Sequence, residues 1–240
     1  MKRVAGFDAF ELKGYFFGVL LAISGLLLLS GCKKDEDSTT GPSTPASSQV
    51  LVAHASPDAP AVDLLLDNTV VGTNLSYPNN TGYLNATAGM HNIKVRVSGT
   101  TATVIDANVA LGANTTYSVF AADSVSRLTP VVLTDNLSPP ASGKAQVRFA
   151  HLSPNAPAVD VALQGGAVLF GNKTFKEYTD FTPLDAGTYN LEVRVAGTNA
   201  VVLPLPNITL QAGKIYTVFA KGFVGGTAAQ ALGAQIITNK

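Results

Sequence analysis

Four side chains in this sequence have the types and spacing from which chemistry could be built. His54 and His151 each precede an aspartate, Asp63 and Asp160, by nine residues, with a Ser-Pro-x-Ala-Pro turn between them. An imidazole beside a carboxylate can ligate a metal or shuttle a proton, so His54, Asp63, His151 and Asp160 are the candidate ligand-binding residues. The competing reading puts each histidine at the end of an inward-facing row, where it bonds a turn carbonyl or the aspartate and locks the corner. No metal site is expected, because a transition metal takes three or four protein ligands and no other His, Cys or paired carboxylate lies nearby in sequence. Asp58 and Asp63, with Asn155 and Asp160 as their counterparts, could place oxygens around calcium. They lack the dense alternating carboxylates of a calcium loop, and Asp or Asn after Ser-Pro more simply sets a turn. Arg96 and Arg194 fall on outward faces, where such residues pair across a sheet, and Glu192 stands near enough to suggest that pairing.

Nothing else in the chain assembles into a reaction centre. There is no Gly-x-Ser-x-Gly elbow, His-Glu-x-x-His helix, P-loop or Gly-x-Gly-x-x-Gly fingerprint, and Gly165-Gly166 reads as a hairpin turn. His91 has Tyr189 opposite it in the second half of the chain, which argues against a shared role. No catalytic residue and no cofactor is expected, and the protein reads as non-catalytic. Sixteen basic side chains balance sixteen acidic ones, so no basic field exists to hold nucleic acid.

The elements that must position these residues are strands. Short stretches rich in Val, Leu and Thr are broken every 8 to 12 residues or so by Gly, Pro, Asn and Asp, the pattern of an all-β sandwich. The chain is also a tandem duplication. The fifteen residues from Gln49 to Asp63 match those from Gln146 to Asp160 at eleven positions, and Tyr117-Ser-Val-Phe-Ala121 answers Tyr216-Thr-Val-Phe-Ala220. Alternation puts Val50, Val52 and His54 on one side of a strand, and Ile93, Val95 and Val97 opposite Lys94 and Arg96. The organisation expected is a β-sandwich repeat over residues 49–136, a Pro-Pro connection over 137–145 and a second repeat over 146–240.

The His-x-Ser-Pro-Asp/Asn-Ala-Pro-Ala-Val-Asp start, the Ala-Gly-x-x-x-hydrophobic-x-Val-Arg-Val middle and the Tyr-x-Val-Phe-Ala end resemble the domain-of-unknown-function 4397 family of exported bacterial proteins, often found in tandem. The resemblance implies two immunoglobulin-like or transthyretin-like β-sandwich domains in the cell envelope. It brings no established activity.

The N-terminus gives an address. Lys2, Arg3 and Lys13 precede an apolar run over residues 15–31 that ends in small residues, the order of a secretory signal and too short for a spanning helix. Leu29-Ser30-Gly31-Cys32 resembles the bacterial lipobox. That resemblance implies removal of residues 1–31 and lipidation of Cys32, the one cysteine of the chain, with diacylglycerol and palmitate-type acyl chains. Lys33-Lys34-Asp35-Glu36-Asp37 resembles the export signal of surface lipoproteins of the Bacteroidota; a merely solvated tether is the other reading. Either way, a lipid-anchored envelope protein is expected, placed at the outer membrane, with surface exposure following from the export reading. Residues 32–48, rich in Ser, Thr and Pro, form a tether with a mean span on the order of 20 Å. Partners beyond the membrane would be an envelope protein or a glycan, met through loops 77–83 and 173–178, where Tyr77, Tyr83 and Tyr178 supply aromatic rings in a chain without tryptophan.

Overall fold

The computed structural model describes residues 46–240. The signal segment, Cys32 and most of the tether lie outside the described residues. The first repeat contributes β1 (Ser47–His54), β2 (Val62–Leu66), β3 (Thr69–Leu75), β4 (Asn80–Thr87), β5 (Gly89–Val97), β6 (Thr103–Leu111), β7 (Thr116–Ala122) and β8 (Thr129–Asp135). The second contributes β9 (Lys144–His151), β10 (Val159–Leu163), β11 (Val168–Lys173), β12 (Thr182–Asp185), β13 (Gly187–Val195), β14 (Val201–Leu210), β15 (Ile215–Lys221) and β16 (Gly233–Thr238). β9 starts two residues earlier than the sequence reading places it, because Lys144 already pairs with Asp185 in the ladder and its ammonium lies 2.8 Å from that carboxylate.

Each repeat folds into two four-stranded sheets with the same connectivity. The sheet order is β4-β1-β7-β8 over β3-β2-β5-β6 in the first and β12-β9-β15-β16 over β11-β10-β13-β14 in the second. In both, the first strand of the repeat runs parallel to the seventh, with His54 opposite Ala121 and His151 opposite Ala220. The sandwich cores form where alternation expects them. Val50, Val52 and Val119 meet Val62, Leu64 and Val95 in one, and Val147, Phe149 and Val218 meet Val159, Val161 and Val193 in the other.

A third core joins the two repeats. Leu51, Ala53, Phe120 and Leu133 from one inner sheet pack on Ala150, Leu152, Phe219 and Ile237 from the other. β1, β7, β9 and β15 are therefore buried on both faces, and their burial runs unbroken where a half-exposed strand would alternate. Residues 46–240 lie within one compact unit of four stacked sheets. Phe120 and Phe219 hold equivalent positions in the two copies and touch each other edge to face, with ring centroids 5.4 Å apart. Contact between equivalent residues is the mark of a two-fold relation, so the copies pack as a symmetric dimer would.

Candidate functional site

The repeated His-to-Asp motif is a set of staples. His54 ends β1 and is fully buried; its Nε2 donates to the Pro60 carbonyl at 3.0 Å, across the Ser-Pro turn. His151 repeats this bond to Pro157 at 3.0 Å. Each ring stands edge-on to an aromatic of the following loop, Tyr77 at 6.0 Å and Phe175 at 6.4 Å. Desolvation pushes both imidazoles below their ordinary 6.5, so they are neutral, and each Nδ1 has no partner.

The aspartates bond elsewhere. Asp63 Oδ1 accepts from the Asn74 amide and the Ser98 hydroxyl, both at 2.8 Å, and these bonds, the Asn74 amide foremost, hold its carboxyl below the usual range. Asp160 accepts from the Asn172 amide at 2.6 Å and the Gly197 amide at 2.9 Å. Asn74 and Asn172 have positive φ, 52° and 49°, in strands whose register slips against β2 and β10. Each aspartate thus ties an irregular edge strand to the turn that follows β5 or β13. The structure does not bring His54 to Asp63 or His151 to Asp160 through a hydrogen bond. Among the described residues no three His, Cys, Asp or Glu side chains gather as a metal cage.

The residue after Ser-Pro does more than set its own corner. Asp58 Oδ1 accepts from the Val125 amide at 2.8 Å, and Asn155 both donates to the Val224 carbonyl at 3.0 Å and accepts from its amide at 2.8 Å. The motif therefore clamps the connection to the last strand of its repeat. In the second copy that connection, residues 222–232, is longer than its counterpart 123–128. An apolar cleft of about 290 Å³ opens there beside His151, walled by Pro157, Val202 and Val224. In the first copy Leu128 packs onto the core instead.

The neutral imidazoles set a pH dependence. The unfolded chain titrates its histidines near 6.5 while the fold holds His54 and His151 lower, so between those values the unfolded chain binds more protons. Stability is then full above about pH 6.5 and falls as pH drops through the lowered values. His91 acts with the opposite sign, because the Asp67 carboxylate at 2.7 Å raises its pKa, but Asp67 is half exposed and water screens the pair. The urea midpoint is expected to fall from pH 7.5 to 5.5, and to fall less in the His54→Gln/His151→Gln protein. A midpoint that does not move over this range in the parent protein would contradict the buried neutral state.

The sequence placed binding at the tips of loops 77–83 and 173–178, and the structure leaves only part of that surface to solvent. Both loops enter the seam between the copies. Tyr83 donates to Asp135 Oδ2 at 2.5 Å and accepts from the Asn239 amide nitrogen at 2.8 Å. The Lys221 ammonium lies 5.3 Å from the Tyr77 ring, and Lys176 pairs with Asp123 at 3.1 Å. Burial pushes the Tyr77 and Tyr83 hydroxyls up to about 12. Only Tyr178 keeps an exposed ring, at 43 %. Arg194 departs from expectation in being 6 % exposed; its Nε donates to Glu192 of its own strand at 2.6 Å and its Nη2 reaches across the sheet to the Leu163 carbonyl of β10 at 3.1 Å.

What the sequence did not disclose is a closed polar ring across the seam. Arg148 Nη2 lies 2.6 Å from Asp135 Oδ1, and its Nε donates to Thr217 Oγ1 at 2.9 Å. Thr217 donates to Asn239 at 2.7 Å, Asn239 donates to Tyr83, and Tyr83 returns to Asp135. Arg148 and Asp135 are both buried. By register, Leu51 is the counterpart of Arg148 and Asn239 that of Asp135, so the ion pair arises where the copies differ. In the sequence Arg148 alternates with the inward-facing Val147 and Phe149 and so reads as an ordinary outward charge, which gives no hint of its burial.

Comparison with known proteins adds three findings. No curated protein matches the sequence. Among solved structures, the carbohydrate-binding module CBMbc (family CBM26) from Eubacterium rectale Amy13K, determined in complex with maltoheptaose, is 10% identical over 80% of this chain and 96% of its own, with a TM-score of 0.23. The family model for the domain of unknown function 4397 (DUF4397) matches residues 48–162 and 162–240. With those two matches running to the last residue, over two copies of one stapling motif, the chain belongs to the DUF4397 family.

Proposed function

We propose that this protein is a lipid-anchored, non-catalytic binding protein of the bacterial outer membrane, exposed at the cell surface, whose two fused sandwiches act as a rigid presenting body. The observation that carries the reading is the spending of the motif. In both copies His, Asp and the Asp or Asn after Ser-Pro close on backbone groups of other loops, which is what a scaffold needs and a reaction centre does not. The third core supports rigidity, since burying a Phe such as Phe120 contributes ~1.5–3 kcal/mol and that surface exists only when the copies are joined. The lipobox-like Leu29-Ser30-Gly31-Cys32 supports the anchor, and the charged residues 33–37 support export to the surface.

The test is acylation and fractionation in the native host. The parent protein is expected to incorporate labelled palmitate, to sediment with outer membranes and to be shaved from intact cells by protease. Cys32→Ala is expected to lose the label and remain an unprocessed precursor. A Cys32→Ala protein that is still cleaved and still membrane-bound would sink the anchor.

A further inference from the structure

The polar ring at the seam leaves a cleft beside it. Thr134 and Asn136 of the first copy and Tyr178, Asp180 and Phe181 of the second surround about 190 Å³, with the Arg148 guanidinium forming the inner wall. Tyr178, Asp180 and Asn136 are exposed and stand outside the ring of bonds that holds the copies together. The motif's polar groups are spent on loops; these are not spent on the seam. Two aromatic rings, Tyr178 and Phe181, border the same space as an amide, a carboxylate and two threonine hydroxyls.

That combination selects a chemistry. A ring with an apolar face needs an aromatic wall, and a rim of hydroxyls needs both donors and acceptors, which the Asn136 amide and the Thr134 and Thr179 hydroxyls supply, with the Asp180 carboxylate as an acceptor. The Arg148 charge is offset by Asp135 at 2.6 Å, and its guanidinium lies 4.5 Å from the centre of the Phe181 ring, so it offers no free cation to an anion. Asp180 is left as the charge at the mouth, which disfavours phosphates and uronic acids. The opposite side of the two-fold relation lacks these features: there Leu51, Asn80, Gly82 and Tyr83 stand where Arg148, Tyr178, Asp180 and Phe181 stand here.

We propose that the cleft between the copies at Tyr178 binds one residue of a neutral saccharide. The ring of the sugar lies against Tyr178 and Phe181, and its hydroxyls are held by Asp180 and Asn136. The proposal rests on the binding-protein reading and gives that reading a ligand class. It also places the site where neither repeat alone could form it, since Thr134 and Asn136 come from one copy and Tyr178 and Asp180 from the other.

The experiment is calorimetric titration of the full lipidated protein in detergent micelles with hexaoses of glucose, galactose, mannose and xylose, and with a galacturonate hexaose. At least one neutral hexaose is expected to bind and the galacturonate not to. Tyr178→Ala and Asp180→Ala are each expected to weaken binding by about tenfold or more, whereas Tyr178→Phe, which keeps the ring, should change it by less than about threefold. Both positions are exposed, and an unchanged melting temperature confirms that each variant folds. Failure of every neutral hexaose to bind, or binding indifferent to both alanine variants, overturns the site. Cross-linking on intact cells separates the two readings: a cell-surface partner captured equally by the parent and by Tyr178→Ala keeps the binding protein and removes the sugar site.

Discussion

Replacing Arg148 by Leu lowers the unfolding free energy by about 3–5 kcal/mol, and adding Asp135→Asn to it restores most of the loss. The guanidinium is 2 % exposed and the Asp135 carboxylate 0 %, so removing one partner strands a charge where water cannot reach it. Tyr83 and Ser118 still donate to Asp135, at 2.5 and 2.7 Å, and they soften the cost without cancelling it. The rescue is written on the opposite side of the two-fold relation, where Leu51 of the first copy and Asn239 of the second occupy the equivalent places in the inner sheets. A buried ion pair is often matched by an apolar or neutral replacement of both partners, which is why the double variant should recover although each single one suffers. Urea unfolding followed by circular dichroism measures the cycle in a chain without tryptophan. If Arg148→Leu alone stays within about 1 kcal/mol of the parent, the pair is not the uncompensated charge site that its burial implies.

The sequence was legible wherever one residue reports on its own strand. Val50, Val52, Ile93 and Val95 alternate as half-buried strands must, and the Gln49–Asp63 repeat announced two equivalent sandwiches. Within the site, the corner role of His54 and His151 could be read from their place at the end of an inward row. What could not be read is any contact whose partner lies in the other copy. Leu51 and Phe120 look like outward positions to a rule that counts in twos, and they are buried because a second sheet covers them. Tyr83 looks like a loop aromatic for the same reason, and Asp135 like a strand end. Neither residue's sequence neighbourhood contains Asn239 or Arg148, its bonding partners. Asp58 shows the same limit inside one copy: its partner, the Val125 amide, is 67 residues away, so local turn chemistry was the only reading at hand.

The third core makes a second large effect testable. Phe120→Ala is expected to cost about 3–5 kcal/mol, the loss of a fully buried aromatic together with the cavity it leaves. Phe120 belongs to the first repeat, but its ring contacts Phe219 of the second, and the surrounding Leu133, Leu152 and Ile237 come from both. If the two repeats unfold as one body, this single change lowers the protection of the slowest-exchanging amides in β9 and β15 as much as in β1 and β7, and urea unfolding keeps one transition. Two independent sandwiches behave differently: the exchange rates of β9 and β15 stay where they were, and the transition splits, the first repeat melting early. Hydrogen exchange read by mass spectrometry on peptides from the four inner strands distinguishes the outcomes. The same result decides whether a site made from Thr134 and Asn136 on one side and Tyr178 and Asp180 on the other can hold its geometry. Such a cleft keeps a fixed width only if the sheets that carry its two walls do not open independently.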